Sequence, residues 1–321
     1  MAVDLSKPRY PQSTYLGRLR HFVDVTDVRT LFASNKQLEE AKKLLNDYKQ
    51  NPQMKVDAER LWGAKKVVDS TLHPDTGEKI LLPFRMSSFV PTNMILVAGM
   101  LTPNPSIKNI IFWQWANQSV NVAFNSANAN KSTPLNLKET AVAYASAVTT
   151  SCALAVGLTQ SVPRLRIADA TKRILMKLVP FTAVATAGTV NVFLMRGKEI
   201  TNGIDVYTED NEKVGKSKKA GLSAVSQVAI SRVLTNAPAL VIPPLALDRL
   251  KQTEFVKARP KLVLPLNFGL IAFCMFTALP AAIAVFPQIS SLETSDMEPE
   301  FQNLTDSNGK PITRLYYNKG L

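Results

Sequence analysis

Three stretches of this chain, residues 141–162, 178–195 and 262–292, contain no Asp, Glu, Lys, Arg or His. A helix needs roughly 20 apolar residues to cross the hydrocarbon of a bilayer, and somewhat fewer where flanking Lys and Arg snorkel. All three stretches meet that length. A fourth, residues 225–247, is apolar apart from Arg232 and carries Pro238, Pro243 and Pro244. Inside lipid a backbone satisfies its own hydrogen bonds only as a helix or a closed barrel, and apolar runs this long predict helices. The chain is read as all-α, a polytopic membrane helical bundle of about five transmembrane helices with an N-terminal amphipathic helical region.

Three regions follow: residues 1–88, soluble or peripheral and helical; residues 89–287, the transmembrane domain; and residues 288–321, an acidic tail. In the first, Ser34 and Gln37 form a capping box that opens a helix with Leu38, Ala41, Leu44, Leu45 and Tyr48 on one face. A second helix over residues 57–72 has Leu61, Trp62, Ala64, Val67 and Val68 as its apolar set. The block His73-Pro74-Asp75-Thr76-Gly77 has the chemistry of a tight turn, with Pro fixing φ and Gly accepting φ > 0. Its functional alternative is a His73/Asp75 pair that gates a site. Residues 89–102 are apolar but short, and Pro103 and Pro105 stop them. They read as a half-helix or as a further crossing. Residues 196–224 read as a mixed-charge loop. Its Gly215-Lys216-Ser217 is no phosphate loop, because Asp210 stands where the leading glycine is needed.

The loops 163–177 and 248–261 are strongly basic, which places both on the positive-inside face. Five crossings put the N-terminus on that face and the tail opposite. If residues 89–102 also cross, the N-terminus moves to the tail's side. The net charge of +13 sits largely in loops and in the N-terminal region, without the clustered aromatic and basic residues of a base-stacking platform. It is assigned to loop orientation and anionic lipid rather than nucleic acid. Cys152 and Cys274 lie inside apolar segments, and His21 and His73 are the only histidines. No metal set, no cofactor motif and no nucleophile–base pair is visible in the spans, so no enzyme is expected. The N-terminal residues lack an apolar secretory core, so any targeting address is expected to be internal.

One further segment carries chemistry. Stepping along residues 113–130 at about 100° per residue puts Gln114, Asn117, Gln118, Asn121, Asn125 and Asn128 on one stripe about 100° wide. The rest of the wheel is apolar, and no charge occurs from Ile110 to Asn130. A buried amide without a partner costs several kcal/mol, so the stripe must face helices, water or a solute. These six amides are the candidate solute-binding residues, with His73, Asp75 and Arg232 in second rank. The bland alternative is a seam of amides that glues helices together.

The ordered motifs resemble the sideroflexin family over nearly the whole chain. They include Ser13-Thr14-Tyr15, His21-Phe22, the His73-Pro74-Asp75-Thr76-Gly77 block, Phe112-Trp113-Gln114-Trp115, Val179-Pro180-Phe181, Ser231-Arg232, Pro243-Pro244 and Asn318-Lys319-Gly320-Leu321. The resemblance implies five spans in the mitochondrial inner membrane, N-terminus in the matrix and tail in the intermembrane space. It further implies transport of small neutral amino acids, serine above all, with alanine and cysteine beside it, feeding one-carbon metabolism. The alternative function is a non-transporting membrane scaffold with indirect effects on iron.

Overall fold

The computed structural model describes residues 3–5, 7–73, 76–128, 137–210, 212–302, 304–305 and 310–319, and only the backbone of Asn128. The N-terminal region holds α1 (Tyr15–Val25), α2 (Asn35–Gln50) and α3 (Ala58–Thr71). The capping box forms as the sequence predicts. Gln37 N donates to Ser34 Oγ at 3.2 Å, and Ser34 N donates to Gln37 Oε1 at 2.8 Å. Leu38, Ala41, Tyr48 and Leu61 are buried where α2 meets α3.

The bundle follows, with α4 (Phe89–Met100), α5 (Ile107–Asn128), α6 (Leu137–Ser161), α7 (Asp169–Asn202) and α8 (Lys218–Leu250). After the short α9 (Glu254–Lys257), the last span is built from α10 (Val263–Phe273), a π-helical turn over Cys274–Ala278, and α11 (Leu279–Ile283). Four helical stretches are long and apolar enough to cross a membrane: Leu137–Arg164, Asp169–Asn202, Lys218–Leu250 and Pro260–Ile283. The predicted stretches 141–162, 178–195 and 225–247 lie in them, while 262–292 runs past Ile283 and ends in strand. The helices close a ring in which each touches the next, from α4 through α5, α6, α7 and α8 to the last span and back to α4. Val97, Met100, Val184, Leu240, Ile271 and Leu279 meet in its interior. The three prolines leave α8 continuous. The departure from α geometry lies instead in the π-helical turn before Pro280.

Helices α4 and α5 run antiparallel. At one end the Phe89 and Phe124 rings stand 5.5 Å apart. At the other, Gly99 lies against the Trp113 indole, where an added Cβ would come within 2.1 Å. Residues 1–88 therefore lie at the end of the bundle where α5 finishes, which is also where the last span finishes. Arg18 confirms it across the chain. Its Nε donates to Ala284 O at 2.8 Å and its Nη2 to Val285 O at 3.3 Å, while Tyr15 Oη donates to Ala281 O at 3.2 Å. Of the two placements the sequence left open, these contacts agree with the one in which α4 returns the chain and both termini share one end of the bundle.

A correction concerns β structure. Residues 196–224 are no loop. Helix α7 runs on to Asn202, and β1 (Ile204–Tyr207) and β2 (Lys213–Ser217) form a hairpin before α8. The tail adds β3 (Ile289–Glu293) and β4 (Arg314–Asn318), giving an antiparallel sheet in the order β2-β1-β4-β3. Val206, Met297, Phe301, Leu315 and Tyr317 form its core with Ala220 and Ala224 at the start of α8.

Glu298 fastens this sheet to the bundle. Its carboxylate accepts from Ser217 Oγ at 2.7 Å and from the N–H groups of Lys218 and Lys219 at 2.7 and 3.0 Å. The negative charge thereby caps the positive end of a 33-residue helix. Burial opposes that charge, but the hydrogen bonds outweigh it and hold the carboxyl below its ordinary value of 4.5. The cap is therefore intact above 4.5 and weakens as pH falls through the lowered folded value.

Two outcomes are expected. Glu298→Ala should lower stability by about 0.5–2 kcal/mol, read by thermal unfolding of the purified protein, and an unchanged transition would refute the cap. In sealed vesicles of uniform orientation, single cysteines at Gln53, Arg166 and Lys310 of a Cys152/Cys274-free variant should report topology. A membrane-impermeant thiol reagent should label positions 53 and 310 from one side and 166 from the other. Opposite sides for 53 and 310 would overturn the shared end of the termini.

Candidate functional site

The amide stripe divides into two parts. Gln114 is 2%, Asn117 4% and Gln118 6% exposed, while Phe112 and Trp115 on the back of α5 are about half exposed. The uncharged polar front therefore faces the ring of helices and the aromatic back faces outward, the arrangement predicted for a helix against lipid. Asn121 is half-buried and Asn125 is exposed. Phe124 takes the buried place in the last turns of α5, edge-on to Phe84 and Phe89 at 5.8 and 5.5 Å. Burying a phenyl side chain gains about 1.5–3 kcal/mol, and an exposed amide loses nothing to water, so the aromatic cluster sets the face. Asn125 therefore stands outside the buried part of the stripe. The side chain of Asn128 lies outside the described residues.

The buried amides are incompletely satisfied. Among the described residues, Gln114 Oε1 and Asn117 Nδ2 have no hydrogen-bond partner. By contrast, Asn93 on α4 donates to Phe89 O at 2.8 Å, and buried Ser151 on α6 donates to Val148 O at 3.1 Å. Packing alone favours the second pattern, because an orphaned buried polar group costs about 1–3 kcal/mol.

Arg232 reaches the same depth from α8. Ser119 on α5 bonds Tyr144 on α6 at 2.8 Å, and Asn191 on α7 bonds the neighbouring Ala143 O at 3.4 Å. Gly188, about one turn away on α7, meets Arg232 Cβ at 3.7 Å. Asn117 and Arg232 thus occupy one level of the bundle. Arg232 lies in phase with Val225, Val228, Ala229, Ala239, Leu240 and Pro243, the buried face of α8, yet its own side chain is accessible. Among the described residues no carboxylate pairs with it. The sequence left it open whether Arg232 snorkels to the interface; it lies inside the long apolar helix Lys218–Leu250, with Gly188 of α7 against its Cβ.

His73 lies in the N-terminal region, buried at 4% exposure. Its N–H donates to Glu78 O at 2.8 Å and its carbonyl accepts from Gly77 N at 2.9 Å, with Gly77 at φ +67°. This is the tight turn predicted from Pro and Gly; Asp75 lies outside the described residues. A cavity of about 660 Å³ lined by Val3, Tyr48 and residues 52–58 belongs to the same region and lies apart from the amides. Among the described residues no three His, Cys, Asp or Glu side chains gather as for a metal.

Apolar spans closed into a ring that includes an amide-bearing helix define a polytopic helical membrane protein. The chain belongs to the sideroflexins: the family model described as Sideroflexins matches residues 4–321. It is 50% identical to sideroflexin fsf1 of Schizosaccharomyces pombe, over 99% of this chain and 98% of that protein. It is 48% identical to sideroflexin FSF1 of Saccharomyces cerevisiae over 99% and 98%. With human sideroflexin-1 it shares 39% identity, again over 99% and 98%. No solved structure matches the chain.

The orphaned amide makes a signed prediction. Asn117→Leu keeps roughly the volume and removes the unpartnered Nδ2, so thermal stability of the purified protein should rise by about 1–3 kcal/mol. A fall would mean that Asn117 has a partner worth keeping.

Proposed function

We propose that this protein carries small neutral amino acids, serine first among them, across the mitochondrial inner membrane, and so supplies one-carbon metabolism. Membership of the sideroflexin family supports a mitochondrial, transporter-type role. The observation that carries the reading is the pair of buried, unpartnered amides at Gln114 and Asn117, one turn apart on a helix that has no charge from Ile110 onward. Keeping them costs stability, which a fold maintains where a ligand completes the hydrogen bonds.

The chemistry fits a zwitterion. Serine presents a carboxylate, an ammonium and a hydroxyl, and each amide both donates and accepts. Neutral partners hold such a solute without trapping it. Gln114, Asn117, Gln118 and Asn121 bind it, and Arg232 stands at the same level to balance the carboxylate. Pro238, Pro243 and Pro244 add acceptors for the ammonium, because each proline lacks the N–H that would engage the carbonyl four residues back, at Leu234, Ala239 and Leu240.

Reconstitution in liposomes with labelled serine tests this. Wild-type protein should take up serine, and Gln118→Leu and Asn121→Leu should weaken its apparent affinity by about 5- to 150-fold. The outward-facing Phe112→Leu should behave like wild type. If the central variants transport like wild type, the amides glue helices. If wild-type protein moves no serine, the scaffold reading takes its place.

A further inference from the structure

The end of the bundle that carries the tail gathers positive charges that its carboxylates do not balance. Arg18 comes from α1, Arg196 from the last turns of α7, and Lys319 from just beyond β4. The three bracket residues 284–288, where the last span ends. Arg18 grips Ala284 O and Val285 O, and Gln12 O and Ser13 O as well. Lys319 N donates to Gln288 O at 2.9 Å, and its Nζ lies 3.4 Å from Phe286 O and 5.3 Å from that ring's centre. Arg196 Nη2 donates to Lys319 O at 2.5 Å. Arg18 is 7% and Lys319 8% exposed.

Against these charges, one carboxylate is engaged among the described residues. Glu199 pairs with Arg196 through two bonds of 2.7 and 2.6 Å. Even so, Arg196 Nη1 is buried without a hydrogen-bond partner. About 12 Å deeper along α7, level with Gly188, stands Arg232, within electrostatic reach of Arg196 and with an accessible side chain. Four cations and one carboxylate form a line from the tail-side mouth to the level of the amides. Like charges buried together are costly, and an anion placed among them removes the cost.

We propose that this mouth is an entry site for the carboxylate of the transported solute, held by Arg196 and Lys319 and received next by Arg232; the inference rests on the carrier reading above. Arg18 adds charge but few free donors, since its N–H groups serve four carbonyls. Spare donors remain on Arg196 Nη1 and on the Lys319 ammonium. A carboxylate suits them better than a lipid phosphate, because Lys319 is nearly enclosed and the line of charge leads inward.

Burial first, then Arg18 and Arg196, push the Lys319 ammonium down to about 8 from its ordinary 10.5. The charged groups around it are Arg18 from α1 and Arg196 with its partner Glu199 from α7; residues 320 and 321 lie outside the described residues. As pH rises through about 8, Lys319 loses its proton and the site loses part of its hold on a carboxylate.

Three small molecules separate the contributions. Glycerate keeps the carboxylate of serine and replaces the ammonium by a hydroxyl; serinamide keeps the ammonium and replaces the carboxylate by a neutral amide. With the full chain in liposomes at pH about 7, glycerate should compete with labelled serine, and serinamide should compete about tenfold more weakly or worse. Lys319→Gln and Arg232→Gln should each weaken serine and shrink its advantage over serinamide. Lys319→Arg should restore both. It should also abolish the loss of glycerate competition on raising pH through about 8. An unchanged serine-to-serinamide ratio in Lys319→Gln and Arg232→Gln, at equal folded amount, would overturn the entry site and leave the carrier reading standing. If wild-type protein moves no serine, the readout is the glycerate-induced rise in its unfolding temperature. A rise lost in Lys319→Gln then supports the entry site without the carrier reading, and no rise in wild type ends both.

Discussion

The middle of a bilayer offers no water, so every peptide group placed there must find its partner within the chain. That constraint shapes the bundle. It turns residues 141–162, 178–195, 225–247 and 262–283 into helices, and it keeps α8 helical through three prolines. It also gives the exceptions their meaning. Backbone irregularity in the last span is confined to one π-helical turn, Cys274–Ala278, with Cys274 and Met275 buried against other helices. Among the buried polar side chains of α5, Gln114 and Asn117 stand apart because each keeps an atom without a partner. Where lipid meets the protein, it meets Ile111, Phe112, Trp115, Phe273 and Phe276.

Much of this was legible in the sequence because its causes are local. The absence of charge marks a span, Ser34 and Gln37 mark a helix start, and His73 to Gly77 mark a turn, each within a few residues. The sheet was not legible. Tyr207 pairs with Tyr316, more than a hundred residues away, and neither strand has the length or alternation to announce itself. The sequence left the placement of the N-terminus open for a related reason. Residues 89–102 look too short to cross, and only the contacts of Phe89 with Phe124 and of Gly99 with Trp113 show that α4 runs back along α5.

The candidate site was legible to the same limit. Phase along a helix put Gln114, Asn117 and Gln118 on one face, and all three are buried because they obey one period. Asn125 is in phase yet exposed, because the face a helix buries changes where aromatic rings from another segment compete for it. Arg232 stood out as a charge among apolar residues, and its neighbours on the wheel could have told which face it shares. The cluster of Arg18, Arg196 and Lys319 lay beyond any such reading. Its members are unremarkable loop or terminal cations until the fold brings residues 18, 196, 284–288 and 319 together.

The bond from Arg18 to Ala284 closes a loop of 266 residues, and β4 can join β1 only once the polypeptide beyond the last span exists. Both fastenings therefore depend on residues beyond the last span. Without them the ring of helices has no clasp, and the α8 start has no Glu298 to cap it. The final segment thus acts as a certificate of completion. A chain that stops after the last span inserts its helices but leaves Arg18, the hairpin edge and the start of α8 without partners, and it presents those raw surfaces to whatever proteases and chaperones survey that side of the membrane.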